Sequence, residues 1–151
     1  MDPIDRKIVA ELQLNARQKM ADLSEKVGLS PTPCARRVSI LEDAGVITGY
    51  SARVNQTKLG LPITIFVTVE LERQASDAIA AFERSVQAFD EVMECYLMTG
   101  SRDILLRVVS RDLTSFDEFL EHHLLRVPGI RSTQSSFTLR TMIQRNTLPS
   151  G

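Results

Sequence analysis

The stretch "VGLSPTPCARRVSILEDAGVI", residues 27–47, decides how the N-terminal third folds, because it sets two prolines two residues apart at the head of an otherwise helical run. A helix interior rejects proline: the ring fixes φ, removes a backbone donor and clashes with the carbonyl four residues back. At the first helical position these penalties vanish, since that N–H has no intrahelical partner in any case. Ser30 therefore reads as an N-cap and Pro31 as the first helical residue, with Thr32 and Pro33 completing a proline-stiffened first turn. Glu42 and Asp43 occupy the last turn and Gly45 suits a left-handed stop, so a helix is predicted over about 31–44.

Two shorter amphipathic runs precede it. "IDRKIVAELQL", residues 4–14, puts Ile4, Ile8 and Leu12 on one face with Val9 beside them, and "KMADLSEKV", residues 19–27, does the same with Met20, Leu23 and Val27. Cys34, Val38 and Leu41 repeat that spacing in the third helix, and only "GLS", residues 28–30, joins it to the second. Two short helices linked by a three-residue turn containing glycine form a helix-turn-helix, here at about residues 20–39. The same periodicity also fits a plain three-helix bundle, so spacing alone leaves DNA binding open.

In a helix-turn-helix the second member presents its N-terminal turn to base edges and phosphates. With Cys34, Val38 and Leu41 turned inward, Ser30, Thr32, Pro33 and Arg36 face outward, and Arg36 and Arg37 have the reach for guanine or phosphate. The competing reading has both arginines pairing with Glu42 or solvating the helix. If the face does meet DNA, the two prolines pre-form its first turn, so that less ordering entropy is lost on binding.

Downstream the pattern becomes β-like. "VITGYSARVN", residues 46–55, has Gly49 as a turn between short extended runs and reads as a small wing or hinge strand. "LGLP", residues 59–62, holds two breakers and marks a boundary between domains at 1–62 and 63–151. "ITIFVTVEL", residues 63–71, is a strand rich in β-branched residues; "SDAIAAFERSVQAF", residues 76–89, is a helix with Ile79, Phe82, Val86 and Phe89 on one face. "VMECYLMTG" and "ILLRVVS" read as a hairpin, "DLTSFDEFLEHHLLRV" as a helix capped by Thr114 or Ser115, and "IRSTQSSFTLRTMI" as a last strand. The order β-α-β-β-α-β is that of ferredoxin-like sandwiches, so the fold class is α+β: a winged helix-turn-helix followed by a βαββαβ domain. Such a sheet carries helices on one face only, and a second copy of the chain is the natural cover for the other.

Composition narrows the function classes. The 151 residues are 43% hydrophobic and 25% charged, ordinary for a globular protein. No apolar run approaches the roughly 20 residues of a membrane span, and the acidic N-terminus is unlike a signal peptide. Cys34 and Cys95 are the two cysteines, read as free, buried thiols in a reducing compartment, which points to the cytoplasm. The net charge of −1 is split: residues 1–62 hold nine Lys and Arg against seven Asp and Glu, and residues 63–151 nine against twelve. That weak asymmetry directs nucleic acid toward the N-terminal half. Catalysis has little support. Adjacent His122 and His123 diverge on a helix, Glu118 and His122 lack further ligands at metal spacing, and no nucleophile elbow, phosphate loop or dinucleotide fingerprint occurs. No cofactor or metal is called for.

"TGSRD", residues 99–103, falls at the tip of the hairpin. Gly100 permits positive φ and exposes backbone amides, and Asp103 supplies a carboxylate beside them, a pairing that suits a zwitterion. A plain turn using Gly and Asp for backbone reasons explains the same residues.

"GLSPTPCARRVSILEDAGVITGY", with "IDRKIVAELQLNARQKMADLSEKV" before it, resembles the Lrp/AsnC family of bacterial and archaeal regulators, also called leucine-responsive or feast/famine regulators. The resemblance spans nearly the whole chain and includes the "GY" hinge and the segments "MTGSRDILLRV" and "LLRVPGIRSTQSSF". It implies dimers that bind pseudo-palindromic double-stranded DNA, commonly assembled into octamers, with an amino acid held between dimers near the hairpin. On that basis Thr99, Gly100, Ser101, Arg102 and Asp103 are expected at the effector site, with Gln134 and Ser136 approaching it. Many relatives carry an aromatic residue before that aspartate; Arg102 stands there instead, so the resemblance by itself does not transfer leucine specificity, and the effector's identity stays open. A ligand-independent protein that bends DNA is the alternative function.

Overall fold

In the computed structural model, which describes residues 1–100 and 103–149, the first helix starts on a reciprocal cap. The Asp2 carboxylate accepts from the Asp5 N–H at 2.8 Å, and the Asp5 carboxylate accepts from the Asp2 N–H at 3.0 Å. With Pro3 at the first helical position this fixes α1 (Pro3–Leu14). α2 (Met20–Val27) stops at Gly28, whose φ of 77° is left-handed. α3 (Pro31–Asp43) begins where the prolines place it. Ser30 has the extended backbone of an N-cap, but its side chain makes no capping bond. Ile8, Leu23, Val27, Cys34, Val38 and Leu41 form the buried core of the three helices.

The chain divides into two units, Met1–Arg53 with the segment from Met142 onward, and Val54–Thr141. The division falls at 53/54 rather than at the breaker cluster ending in Pro62. Gln56 accounts for this: its side-chain amide donates to the Leu61 carbonyl at 2.7 Å and to Thr64 Oγ1 at 3.0 Å, fastening the intervening residues to the strand that follows. In the first unit the late segment docks on α1, where Gln13 Nε2 donates to the Leu148 carbonyl and Gln13 Oε1 accepts from the Leu148 N–H.

The wing or hinge strand expected within residues 46–55 is not formed. Val46 and Ile47 donate their N–H groups to the Leu41 carbonyl and so close the end of α3 rather than opening a ladder. Tyr50 donates its hydroxyl to Glu42 Oε1 at 2.7 Å, which holds the segment to α3.

The second unit runs β1 (Ile63–Leu71), α4 (Ser76–Val86), β2 (Val92–Leu97), β3 (Ile104–Ser110), α5 (Leu113–His122), a 3-10 turn (Leu124–Arg126) and β4 (Ile130–Phe137). The sheet order is β2-β3-β1-β4 and every pairing is antiparallel, as the βαββαβ order requires. Ile65, Val67, Val69 and Leu71 alternate along β1 into a core with Phe82, Val86, Leu106, Val108, Phe116 and Phe119. The opposite face carries cross-strand rows. Tyr96, Leu105, Thr68 and Gln134 make one, and Glu94, Arg107, Phe66 and Ser136 the next.

Two local expectations need correction. α5 is capped by Asp112, not by Thr114 or Ser115; the Asp112 carboxylate accepts from the Ser115 N–H at 2.7 Å. Of the two thiols only Cys34 is buried, and burial pushes it above the usual thiol range. Cys95 is exposed because β2 is an edge strand.

Candidate nucleic-acid interface and effector site

α3 places its residues as its period demands. Cys34, Val38 and Leu41 are buried against α1 and α2, and Ser30, Thr32, Pro33 and Arg36 are exposed on the far side. Arg36 makes no ion pair among the described residues, which leaves its guanidinium available to a partner. Exposed serine and threonine at the first turn, backed by the positive end of the helix dipole, offer the groups that phosphate and base edges take.

Arg37 is placed differently. Its Nη1 lies 2.6 Å from Asp2 Oδ2 and 2.7 Å from Asp5 Oδ1, so it spans both members of the α1 cap. The Asp5 amide, and then Arg37, hold the Asp2 carboxyl below the usual carboxylate range. The two carboxylates in turn raise Arg37 above its ordinary value. Neither arginine pairs with Glu42. That carboxylate takes the Tyr50 hydroxyl, whose pKa is pushed up to about 12 by burial and then by Glu42 itself. Sequence reading missed the Asp2–Asp5 cap, although Asp-Pro-x-Asp ahead of an apolar period carries it: an N-cap acid, proline at the first position and a second acid three residues on.

At the second expected site, the Met98 N–H donates to the Asp103 carbonyl at 2.7 Å and closes the β2–β3 hairpin. Thr99 and Gly100 are exposed at its tip, and Gly100 has φ 113°, which side chains disfavour. Asp103 is only 6% exposed, and its Oδ2 accepts from the Leu71 N–H at 2.7 Å, tying the hairpin to the end of β1. Ser101 and Arg102 lie outside the described residues. Gln134 and Ser136 are exposed on β4, opposite Thr68 and Phe66, and β1 separates that strand from β3. Asp103 thus stands at the sheet's end, while Gln134 and Ser136 lie on its helix-free face, apart from it.

A cavity of about 400 Å³ between α4 and β2, lined by Ile79, Phe82, Glu83, Met93 and Cys95 among others, contains none of the expected site residues. His123 packs its ring against Phe89 and Phe119 at centroid distances of 5.6 and 6.2 Å. No three metal-ligating side chains converge among the described residues, and no described helix is long and apolar enough to cross a membrane.

A helix-turn-helix with an open recognition face, coupled in one chain to a βαββαβ unit with a carboxylate at its hairpin, defines a DNA-binding regulator with a separate ligand domain. Comparison with known proteins agrees. Residues 1–48 match the family model for winged helix-turn-helix DNA-binding domains, and residues 64–148 match that for the Lrp/AsnC ligand binding domain. The Bkd operon transcriptional regulator of Pseudomonas aeruginosa is 40% identical, covering 99% of this chain and 97% of the relative. The leucine-responsive regulatory protein of Escherichia coli K12 is 39% identical over 98% of this chain and 90% of its own length. Among solved structures, a transcriptional regulator of Neisseria meningitidis in complex with L-Met superposes with a TM-score of 0.93 at 38% identity, covering 99% of this chain and 96% of that one. The chain belongs to the Lrp/AsnC family of transcriptional regulators. It is a DNA-binding transcriptional regulator with a ligand-binding C-terminal domain.

Proposed function

We propose that the ligand is an amino acid and that its ammonium group is held by Asp103 at the β2–β3 hairpin. The observation that carries this is the Asp103 carboxylate, buried beside the positive-φ Gly100 and already oriented by the Leu71 N–H. A carboxylate so fixed loses little on meeting a cation, and the hairpin amides suit the ligand's own carboxylate. The L-Met complex of the Neisseria relative supports the ligand class. Ser101 and Arg102, which lie between Gly100 and Asp103 in the sequence, are proposed as its further contacts.

The same reading makes the working protein a homo-oligomer in the cytoplasm. Phe66, Leu105 and Tyr96 on the helix-free sheet face are what a second copy would cover. Gln134 and Ser136 share that face, so their approach to an effector runs through the assembled protein. Dimers would engage pseudo-palindromic sites through Ser30, Thr32, Pro33 and Arg36, and further assembly toward an octamer would set how many half-sites are held at once. The effector shifts the population of assemblies by binding one better than another; no catalytic step or cofactor enters.

The test is a thermal-shift screen against the twenty amino acids at constant protein concentration. A ligand at about 100 times its Kd adds roughly 2.7 kcal/mol, and each kcal/mol moves the Tm of a chain this size by about 2–4 °C. One amino acid or a related few should raise Tm by several degrees, and Asp103→Asn should remove the rise. No shift with any of the twenty, from protein that still binds DNA, sinks amino-acid sensing and favours the DNA-bending function.

A further inference from the structure

The acidic cap of α1 and the recognition helix meet at one side chain, and that meeting has a consequence for DNA binding that charge alone would not suggest. Arg37 sits in the second turn of α3, next to Arg36, with Pro33 one turn before it. Its guanidinium does not extend outward: Nη1 reaches Asp2 at 2.6 Å and Asp5 at 2.7 Å, and the side chain is 32% exposed. Asp2 and Asp5 are themselves fixed by the two reciprocal cap bonds at the α1 N-terminus, where the helix dipole favours negative charge. The pair therefore joins two rigid ends. Asp5 and Arg37 share a shallow groove with Pro33, Arg36 and Ile40, on the same surface as the exposed recognition turn.

We propose that Arg37 is a positioning residue for DNA recognition: through Asp2 and Asp5 it locks α3 against α1 and so sets the pose of the recognition turn. The two acids work for DNA binding despite their charge. Electrostatics alone says the reverse, since removing a carboxylate near a phosphate surface reduces repulsion and tightens binding. A phosphate role for Arg37 is likewise distinguishable, because each neutralised phosphate adds to the salt dependence whereas a pose does not.

The experiment uses the full chain and a duplex that the wild-type protein selects from a randomised library, with affinity measured across a salt series. R37Q and the D2N/D5N double variant, each of which removes both pairs, should weaken binding roughly fivefold, and D5N alone should cost less because Arg37–Asp2 remains. Adding R37Q to D2N/D5N should weaken binding no further than R37Q does by itself. The slope of log affinity against log salt should stay at the wild-type value in both. R36Q should lower that slope by about one if Arg36 holds phosphate; an unchanged slope there withdraws that phosphate role alone and leaves Arg37 to be decided by D2N/D5N. Melting curves show whether R37Q remains folded. Should it not, D2N and D5N, which keep Arg37 and the whole of α3, carry the test. Binding by D2N/D5N as tight as wild type or tighter overturns the proposal, as does a slope in R37Q that falls by about one.

Discussion

Asp103 serves the fold and the proposed pocket at once, and substitution separates the two. Its Oδ2 satisfies the Leu71 N–H inside the protein. Asp103→Ala leaves that donor buried and unpaired, at about 1–3 kcal/mol. Asp103→Asn keeps a carbonyl oxygen for it and loses only the charge. Chemical denaturation should therefore show a clear loss for the alanine variant and a much smaller one for asparagine, while both lose amino-acid binding. Equal stability of the two variants would remove the structural role. Residue by residue, the sequence shows which way a Cβ points but not where a long or polar side chain ends. The inward set Cys34, Val38 and Leu41 was legible from spacing, as were the exposed Ser30, Thr32, Pro33 and Arg36. The partner of Arg37 was not, because Asp5 is 32 residues away in sequence and Asp2 is 35. The Leu71–Asp103 bond, also spanning 32 residues, was hidden for the same reason.

At the scale of elements, the start of α5 shows how a cap can be misplaced by a few residues while its helix is read correctly. Thr114 and Ser115 are eligible caps by type. Asp112 wins because its carboxylate reaches the Ser115 N–H at 2.7 Å. This has a pH signature. The Ser115 backbone N–H, then its hydroxyl, hold the Asp112 carboxyl below its ordinary value of 3.8. A carboxylate with a depressed folded pKa contributes stability that is fully present above 3.8 and is lost as pH falls through the lower folded value. Asp112→Asn still caps but does not titrate. Between neutral pH and the acid range its Tm should therefore fall less steeply than that of the wild type, with the difference opening below the ordinary carboxylate pKa. Parallel curves would show that the cap contributes nothing to acid sensitivity. Helix and strand periods were readable because burial enforces them. The strand expected within residues 46–55 was not refutable from sequence, since a strand exists only with a ladder partner, and Val46, Ile47 and Tyr50 bond to α3 instead.

For the whole molecule, the decisive feature is that the two hydrophobic clusters share no residue: one is centred on Ile8, Leu23 and Cys34, the other on Val67, Phe82 and Leu106. The proposed amino-acid site belongs to the second. A ligand stabilises only what binds it, so its effect on melting should be confined to the unit that holds Asp103. Ile8 and Phe82, both essentially unexposed, allow a clean separation. Ile8→Ala removes about 2–5 kcal/mol and Phe82→Ala about 3–5 kcal/mol, each from its own core. Calorimetry should show Ile8→Ala lowering one transition while the ligand-induced rise in the other is kept, and Phe82→Ala lowering the transition that the ligand moves. DNA binding should fail with the first variant and amino-acid binding with the second. A single transition displaced as a whole by either variant would mean that the two cores unfold as one. Ligand binding would then reach the recognition helix through the stability of a single cooperative body, and a change of assembly would no longer be needed to explain the response.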